Sequence, residues 1–172
     1  MDYLFVSDAH GDREILVKIR DAYRGKVRAM FYNGDSELER SDELFNDYLP
    51  VIGNMDFDTM FPDDRDYRDD DVTIFQTHGH LYQTELNLNR LRQTATQKGV
   101  NVVTSGHTHK LGAEMIDDQL YLNPGSISLP KGRYAHLGGT YAILSVTPAG
   151  YTVQFYTRDL KPVEGLRATF EH

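Results

Sequence analysis

The chain has 172 residues and a mass of 19.7 kDa, with 40% apolar and 26% charged residues, proportions expected of one soluble globular domain over 1–172 with a sizeable core. Its formal charge of −8 disfavours a broad nucleic-acid or anionic-membrane surface, which needs an excess of Lys and Arg. Zero cysteines exclude disulfides and thiolate metal ligands, so any metal must be held by oxygen and nitrogen. Met1 to Leu4 carry no basic leader region, and no apolar run reaches the length of a membrane span. The expected location is the cytoplasm.

The first apolar run, Tyr3 to Val6, reads as a strand and stops at Asp8-Ala9-His10-Gly11. In an extended segment, residues two apart project to the same side, so Asp8 and His10 would face one point. Asp12 then caps a helix with Ile15, Leu16, Ile19 and Tyr23 at helical spacing and Gly25 as its stop. Val27 to Tyr32 is a second strand ending at Asn33-Gly34-Asp35, and Ser36 opens a predicted helical stretch that buries Leu38, Leu44, Phe45 and Leu49. Pro50 to Ile52 is a third strand, broken at Gly53-Asn54-Met55-Asp56. The acidic stretch from Asp63 to Asp71 reads as a solvated loop or edge.

Val72 to Thr77 is a buried strand that delivers His78-Gly79-His80, and Thr84 to Lys98 reads as a helix closed by Gly99. Asn101 to Ser105 delivers Gly106-His107-Thr108-His109. Beyond it the runs Ala113–Ile116, Gln119–Leu122, Tyr141–Val146 and Tyr151–Tyr156 predict strands with hairpin-like connections. The order implies an α/β (α+β) chain with two sheets packed face to face and helices outside.

Asp8, His10, Asp35, Asn54, His78, His107 and His109 all fall just past the carboxyl ends of predicted strands, where open α/β sheets place their ligands. Five of the 7 histidines lie in D-x-H, H-G-H and H-T-H, each beside a glycine that lets the backbone turn. Imidazole, carboxylate and amide donors suit Mn²⁺, Fe²⁺, Ni²⁺ or Zn²⁺ better than Mg²⁺ or Ca²⁺, with Mn²⁺ the leading choice. Seven donors exceed what one ion takes and suit two divalent ions sharing a carboxylate, for which Asp35, alone at its strand end, is the natural bridge.

The ordered set Asp8-x-His10, Gly34-Asp35, Gly53-Asn54, His78-Gly79-His80 and Gly106-His107-Thr108-His109 resembles the calcineurin-like metallophosphoesterases, in particular their small single-domain YfcE-type phosphodiesterase branch. Asn123-Pro124-Gly125-Ser126 resembles that branch too. The resemblance implies a four-layer sandwich of two mixed β-sheets flanked by helices. It implies Asp8, His10 and His109 on one ion, Asn54, His78 and His107 on the other, and Asp35 between them. The implied activity is hydrolysis of a small phosphodiester by a metal-bridging hydroxide, with catalytic roles for Asp35 and Asn54.

One departure stands out: many relatives carry histidine after the Gly-Asn pair, and this chain has Met55, which cannot transfer a proton. His80 is the candidate substitute as general acid, while Asp56 is expected to orient the loop. Ser126, Lys131 and Arg133 are the candidate substrate contacts, the two cations for phosphate. Three rivals stay open: a protein-interaction scaffold, since the small retromer subunit shares this fold, a phosphomonoesterase, and a nuclease. The acidic charge disfavours the last. The substrate, the native metal and a homo-oligomeric state are not fixed by the sequence.

Overall fold

The computed structural model describes residues 1–172. Strand β1 (Asp2–Val6) is buried on both faces after its first residue, as expected for a strand at the middle of a covered sheet. Its alternation sorts the core: Tyr3 and Phe5 point to one side, Leu4 and Val6 to the other. On the second side they meet Leu16 and Ile19 of helix α1 (Arg13–Tyr23), which Asp12 caps by accepting a hydrogen bond from the Ile15 amide.

The first sheet adds β2 (Ala29–Tyr32) and β3 (Tyr48–Pro50), both parallel to their inner neighbours, in the order β11-β10-β9-β1-β2-β3. Strands β9 (Thr140–Thr147), β10 (Gly150–Thr157) and β11 (Pro162–Glu171) continue it as antiparallel hairpins. The second sheet, ordered β4-β5-β6-β8-β7, contains β4 (Asp64–Arg68), β5 (Thr73–Thr77), β6 (Val102–Thr104), β7 (Gly112–Ile116) and β8 (Gln119–Asn123). Tyr3, Phe5 and Phe31 of the first sheet pack against Ile74, Val102, Leu120 and Leu122 of the second. The outer face of the second sheet, Phe75, Val103 and Tyr121, is covered by Leu91 and Ala95 of helix α2 (Asn89–Lys98). The result is four layers: helix, mixed sheet, mixed sheet, helix.

Three expected elements differ. The helical stretch after Ser36 is one 3₁₀ turn, Glu43–Asn46, capped by Asp42, and Leu49 belongs to β3. The Glu37 and Arg40 amides are taken by the carboxylates of Asp56 and Asp58 from the facing loop, so no helical ladder forms there. Helix α2 starts at Asn89 rather than near Thr84, because Gln83 is left-handed and Glu85, Leu86 and Asn87 face solvent. The strand β11 has no counterpart among the expected elements. It is an edge strand whose half-buried positions Leu166, Ala168 and Phe170 alternate with exposed ones. The acidic stretch Asp63–Asp71 contains the other kind of edge, β4, paired on one side only. No helix is long and apolar enough to cross a membrane.

Leu16 is fully buried between α1 and the first sheet, whereas Leu86 is 72% exposed. Leu16→Ala is therefore expected to lower the unfolding free energy by about 3 kcal/mol, and Leu86→Ala by less than about 0.5 kcal/mol. Urea denaturation of both variants checks this, and equal losses would contradict the layer assignment.

Candidate metal centre

The loops that leave β1, β2, β3, β5 and β6 at their carboxyl ends converge on one cluster. Asp8 and His10 do not lie in extended backbone. Both are left-handed, with φ of 56° and 47°, as are Asp35 (58°), His107 (68°) and His109 (62°). Each such non-glycine residue costs about 1–2 kcal/mol, so the surrounding structure must impose the conformation. Backbone bonds do so: the Asp8 amide donates to the Gly34 carbonyl at 3.1 Å, that of His10 to Asp35 at 3.0 Å, and that of Gly106 to His78 at 2.9 Å. Side chains two residues apart therefore converge by turning, not by strand alternation.

Two of the nearby glycines serve close approach rather than a turn. A Cβ at Gly53 would overlap the Asp35 carboxylate, and one at Gly106 would overlap Ser7 Oγ and lie 2.6 Å from Asp8 Oδ2. Asp56 locks the second loop: its carboxylate accepts from the amides of Asp35 (2.9 Å), Gly53 (2.7 Å) and Glu37 (2.8 Å).

Asp8 is fully buried. Its Oδ2 accepts from Ser7 Oγ (2.5 Å) and the His107 amide (3.1 Å), while Oδ1 has no hydrogen-bond partner. That bare oxygen lies 3.2 Å from His109 Nε2, 3.7 Å from His10 Nε2 and 3.8 Å from His78 Nε2. Asp35 Oδ2 lies 3.2 Å from His78 Nε2 and 3.9 Å from His10 Nε2, with Asp35 Oδ1 accepting from the Met55 amide. Asn54 Oδ1 is 3.0 Å from both His78 Nε2 and His107 Nδ1. His107 thus joins the cluster through Asn54 rather than Asp35.

The outward ring nitrogens fix the inward ones. His109 Nδ1 donates to the Leu129 carbonyl at 2.7 Å and His78 Nδ1 to the Asn33 carbonyl at 2.6 Å. His10 Nδ1 donates to Glu37 Oε2 at 3.1 Å, and His107 Nε2 sits 3.2 Å from Glu85 Oε2. A neutral imidazole that donates on one nitrogen carries a lone pair on the other. The inward nitrogens of His10 and His109, 3.2 Å apart, are then two lone pairs facing each other beside a bare carboxylate oxygen. Only a proton or a cation between them makes that arrangement stable. A divalent cation fits the donor set: Asp8, His10 and His109 offer three atoms to one point, and Asp8, Asp35 and His78 to a second.

The pKa shifts have the same origin. Burial pushes the Asp8 carboxyl up, but the adjacent imidazoles of His10 and His109, the charge of His78 and the Ser7 hydroxyl outweigh it and hold the group well below the usual range. Asp35 behaves alike, with burial opposed by His78. His10 is raised mainly by the neighbouring Asp8 carboxylate, and His78, despite burial, by Asp35 and Asp8. His80 and His107 are lowered by burial and by the charge of His78.

The cluster opens into a cleft of about 600 Å³ lined by His10, Asp35, Asn54, Met55, His107, His109, Leu129, Pro130 and Lys131. The remaining expected residues divide. Lys131 lines the cleft. Ser126, expected at the substrate, is buried, donates to the Asp8 carbonyl (2.8 Å) and accepts from the Leu129 amide (2.8 Å), so it braces the loop from beneath. Arg133 lies over the Tyr134 ring, 5.4 Å from its centroid, and does not line the cleft. Nor does His80, whose ring stacks edge-on to His78 with Nδ1 buried and unpartnered. Asn33, Glu37 and Glu85 escaped the sequence reading. Asn33 had a visible signal, its place directly before Gly34-Asp35, but the two glutamates had none.

Residues 1–148 match the calcineurin-like phosphoesterase superfamily domain. A probable metallophosphoesterase of Bacillus subtilis, YsnB, is 35% identical over 97% of this chain and 97% of its own length. The phosphodiesterase YfcE of Escherichia coli is 36% identical over 55% of this chain and 52% of its own. A Streptococcus pneumoniae protein described as a predicted phosphoesterase superposes with a TM-score of 0.96 at 36% identity, covering 99% of this chain and 97% of that one. The zinc complex of Entamoeba histolytica Vps29 shares the fold, with a TM-score of 0.72 at 18% identity over 100% of this chain and 98% of that one.

In the ion-free protein the raised pKa values of His10 and His78 let them hold protons above the ordinary 6.5. A cation must displace those protons, so Mn²⁺ binding is expected to release more protons at pH 6.5 than at pH 8.5 and to weaken as pH falls. Calorimetry in buffers of differing ionisation enthalpy reads the release. Equal release at both pH values would show that these imidazoles do not take the ion.

Proposed function

The chain belongs to the calcineurin-like phosphoesterase superfamily, a divalent-metal-dependent family, and from that premise we propose that it is a two-metal phosphodiesterase acting on a small phosphodiester. The observation that carries this reading is the bare Asp8 oxygen ringed by the imidazoles of His10, His78 and His109, with the His107 ring joined to the cluster through Asn54. Asp8, His10 and His109 would hold one ion, Asn54, His78 and His107 the other, and Asp35 Oδ2, within 4 Å of both His78 and His10, would bridge them. Mn²⁺ is the leading ion, with Fe²⁺, Ni²⁺ and Zn²⁺ as alternatives. Two bound divalent ions would supply a shared water with a pKa lowered towards 7 and positive charge for the phosphoryl oxygens.

The protein's own groups define the rest. Lys131 places a cation at the cleft edge for a phosphate oxygen, and a cleft of about 600 Å³ suits a small ester. No histidine of the cleft is placed to protonate the leaving oxygen. Met55 stands at the cleft, and the N–H groups of His10, His107 and His109 turn outward to Glu37, Glu85 and the Leu129 carbonyl. A leaving group acidic enough to depart as an anion is therefore favoured, aryl over alkyl esters. The phosphodiesterase name of the Escherichia coli relative supports a diester as substrate. Residues 1–172 are read as one such domain.

One observation favours the scaffold reading. Met55, Phe57 and Met60, in a single loop, are 54%, 65% and 76% exposed. The complete donor set weighs more, since it leaves a buried, unpartnered Asp8 oxygen that a cation would satisfy.

With Mn²⁺, the native protein is expected to hydrolyse bis(p-nitrophenyl) phosphate and the Asp35→Ala variant to lose at least about 100-fold in kcat/KM. Alkyl leaving groups should be slower by about 10²–10⁴, the factor a general acid would contribute. Equal activity in the two proteins would overturn the reading.

A further inference from the structure

We propose that Glu37 and Glu85 are a matched pair of positioning residues, one for each cation, which hold His10 and His107 with their inward nitrogens free to bind. The inference rests on the two-metal reading. Within each donor trio one imidazole is tied to the backbone and the other to a carboxylate. In the first, His109 is held by the Leu129 carbonyl and His10 by Glu37. In the second, His78 is held by the Asn33 carbonyl, and Glu85 Oε2 lies 3.2 Å from the outer Nε2 of His107. A carboxylate on the outer N–H fixes ring orientation and tautomer and makes the inner nitrogen a stronger donor. It also adds negative charge beside a dication.

The local backbone shows that the placement of Glu37 is imposed. Glu37 is left-handed, with φ of 56°, a conformation that a non-glycine residue keeps only where neighbours enforce it. The enforcing group is Asp56, which binds the Glu37 amide and the Asp35 amide with the same carboxylate, so the bridging aspartate and the carboxylate behind His10 are set by one clamp. Glu85 is placed by the turn after His80. Gln83 is left-handed at 52°, and the Thr84 amide and hydroxyl both return to the Gly79 carbonyl at 3.3 Å. The two carboxylates face solvent on their outer sides, 34% and 49% exposed, so substituting them leaves the core intact.

Calorimetric titration of Mn²⁺ into the ion-free full-length protein separates this role from that of an ordinary surface ion pair. The native protein should bind two ions. Glu37→Ala is expected to weaken one by about 10–100-fold and Glu85→Ala the other by a similar factor. The Gln variants, whose amide oxygen still accepts the imidazole N–H, should recover part of the loss, and Glu114→Ala on the exposed face of β7 should bind as the native protein does. Far-UV circular dichroism on each variant confirms the fold. Native affinity at both sites in both Ala variants would overturn the inference, as would a loss of activity without a loss of affinity, which would place the glutamates at the substrate. Site-selective weakening in a protein that hydrolyses no phosphodiester would leave the inference standing and remove the activity proposed above.

Discussion

The carboxylate of Asp8 is the constraint on which the site depends. It is buried at the end of β1, where the two sheets meet, and its two oxygens serve different ends. Oδ2 accepts from Ser7 and from the His107 amide, tying the first sheet's leading loop to the second sheet's. The Asp8 amide and carbonyl extend the tie to Gly34 and to Ser126. Oδ1 is left bare among three histidines. A buried charge without a partner costs several kcal/mol. The fold tolerates it because positive charge, as protons or ions, is drawn to the same point.

Around that point the loops trade backbone comfort for convergence. Five of the seven predicted donors are left-handed, and two glycines are needed because no Cβ fits beside the Asp8 and Asp35 carboxylates. The four-layer packing makes this possible: β1, β2 and β3 are parallel in one sheet, β5 and β6 in the other, and their carboxyl ends open at one edge of the sandwich. Chemistry follows from the same geometry. With their outer nitrogens turned to Glu37, Glu85 and the Asn33 and Leu129 carbonyls, the imidazoles present their inner nitrogens as electron-pair donors, which suits ion binding.

Much of this was legible in the sequence, for physical reasons that differ by element. Strands such as β1 and β5 are short apolar runs cut off by polar ligands, and α1 carries its cap and its apolar spacing in eleven residues. The donor set was legible because histidines, aspartates and an asparagine recur at strand ends. What was hidden depends on distant partners. The stretch after Ser36 has helical spacing, but Asp56 and Asp58, about 20 residues on, take its amides. The convergence of Asp8 and His10 was expected for a reason that does not hold, since the backbone there is left-handed rather than extended. Glu37 and Glu85 are ordinary surface glutamates in sequence, and only the folded chain brings them behind His10 and His107. Ser126, expected at the substrate, is instead buried under Asp8, which its neighbours in the Pro/Gly loop do not signal.

Anomalous diffraction from crystals soaked in Mn²⁺ tests the central claim most directly. Two peaks are predicted roughly 3.5–4 Å apart, one among Asp8, His10 and His109 and one among Asn54, His78 and His107, with Asp35 reaching both. No peak at either trio, or a single peak at saturating Mn²⁺, would contradict the account.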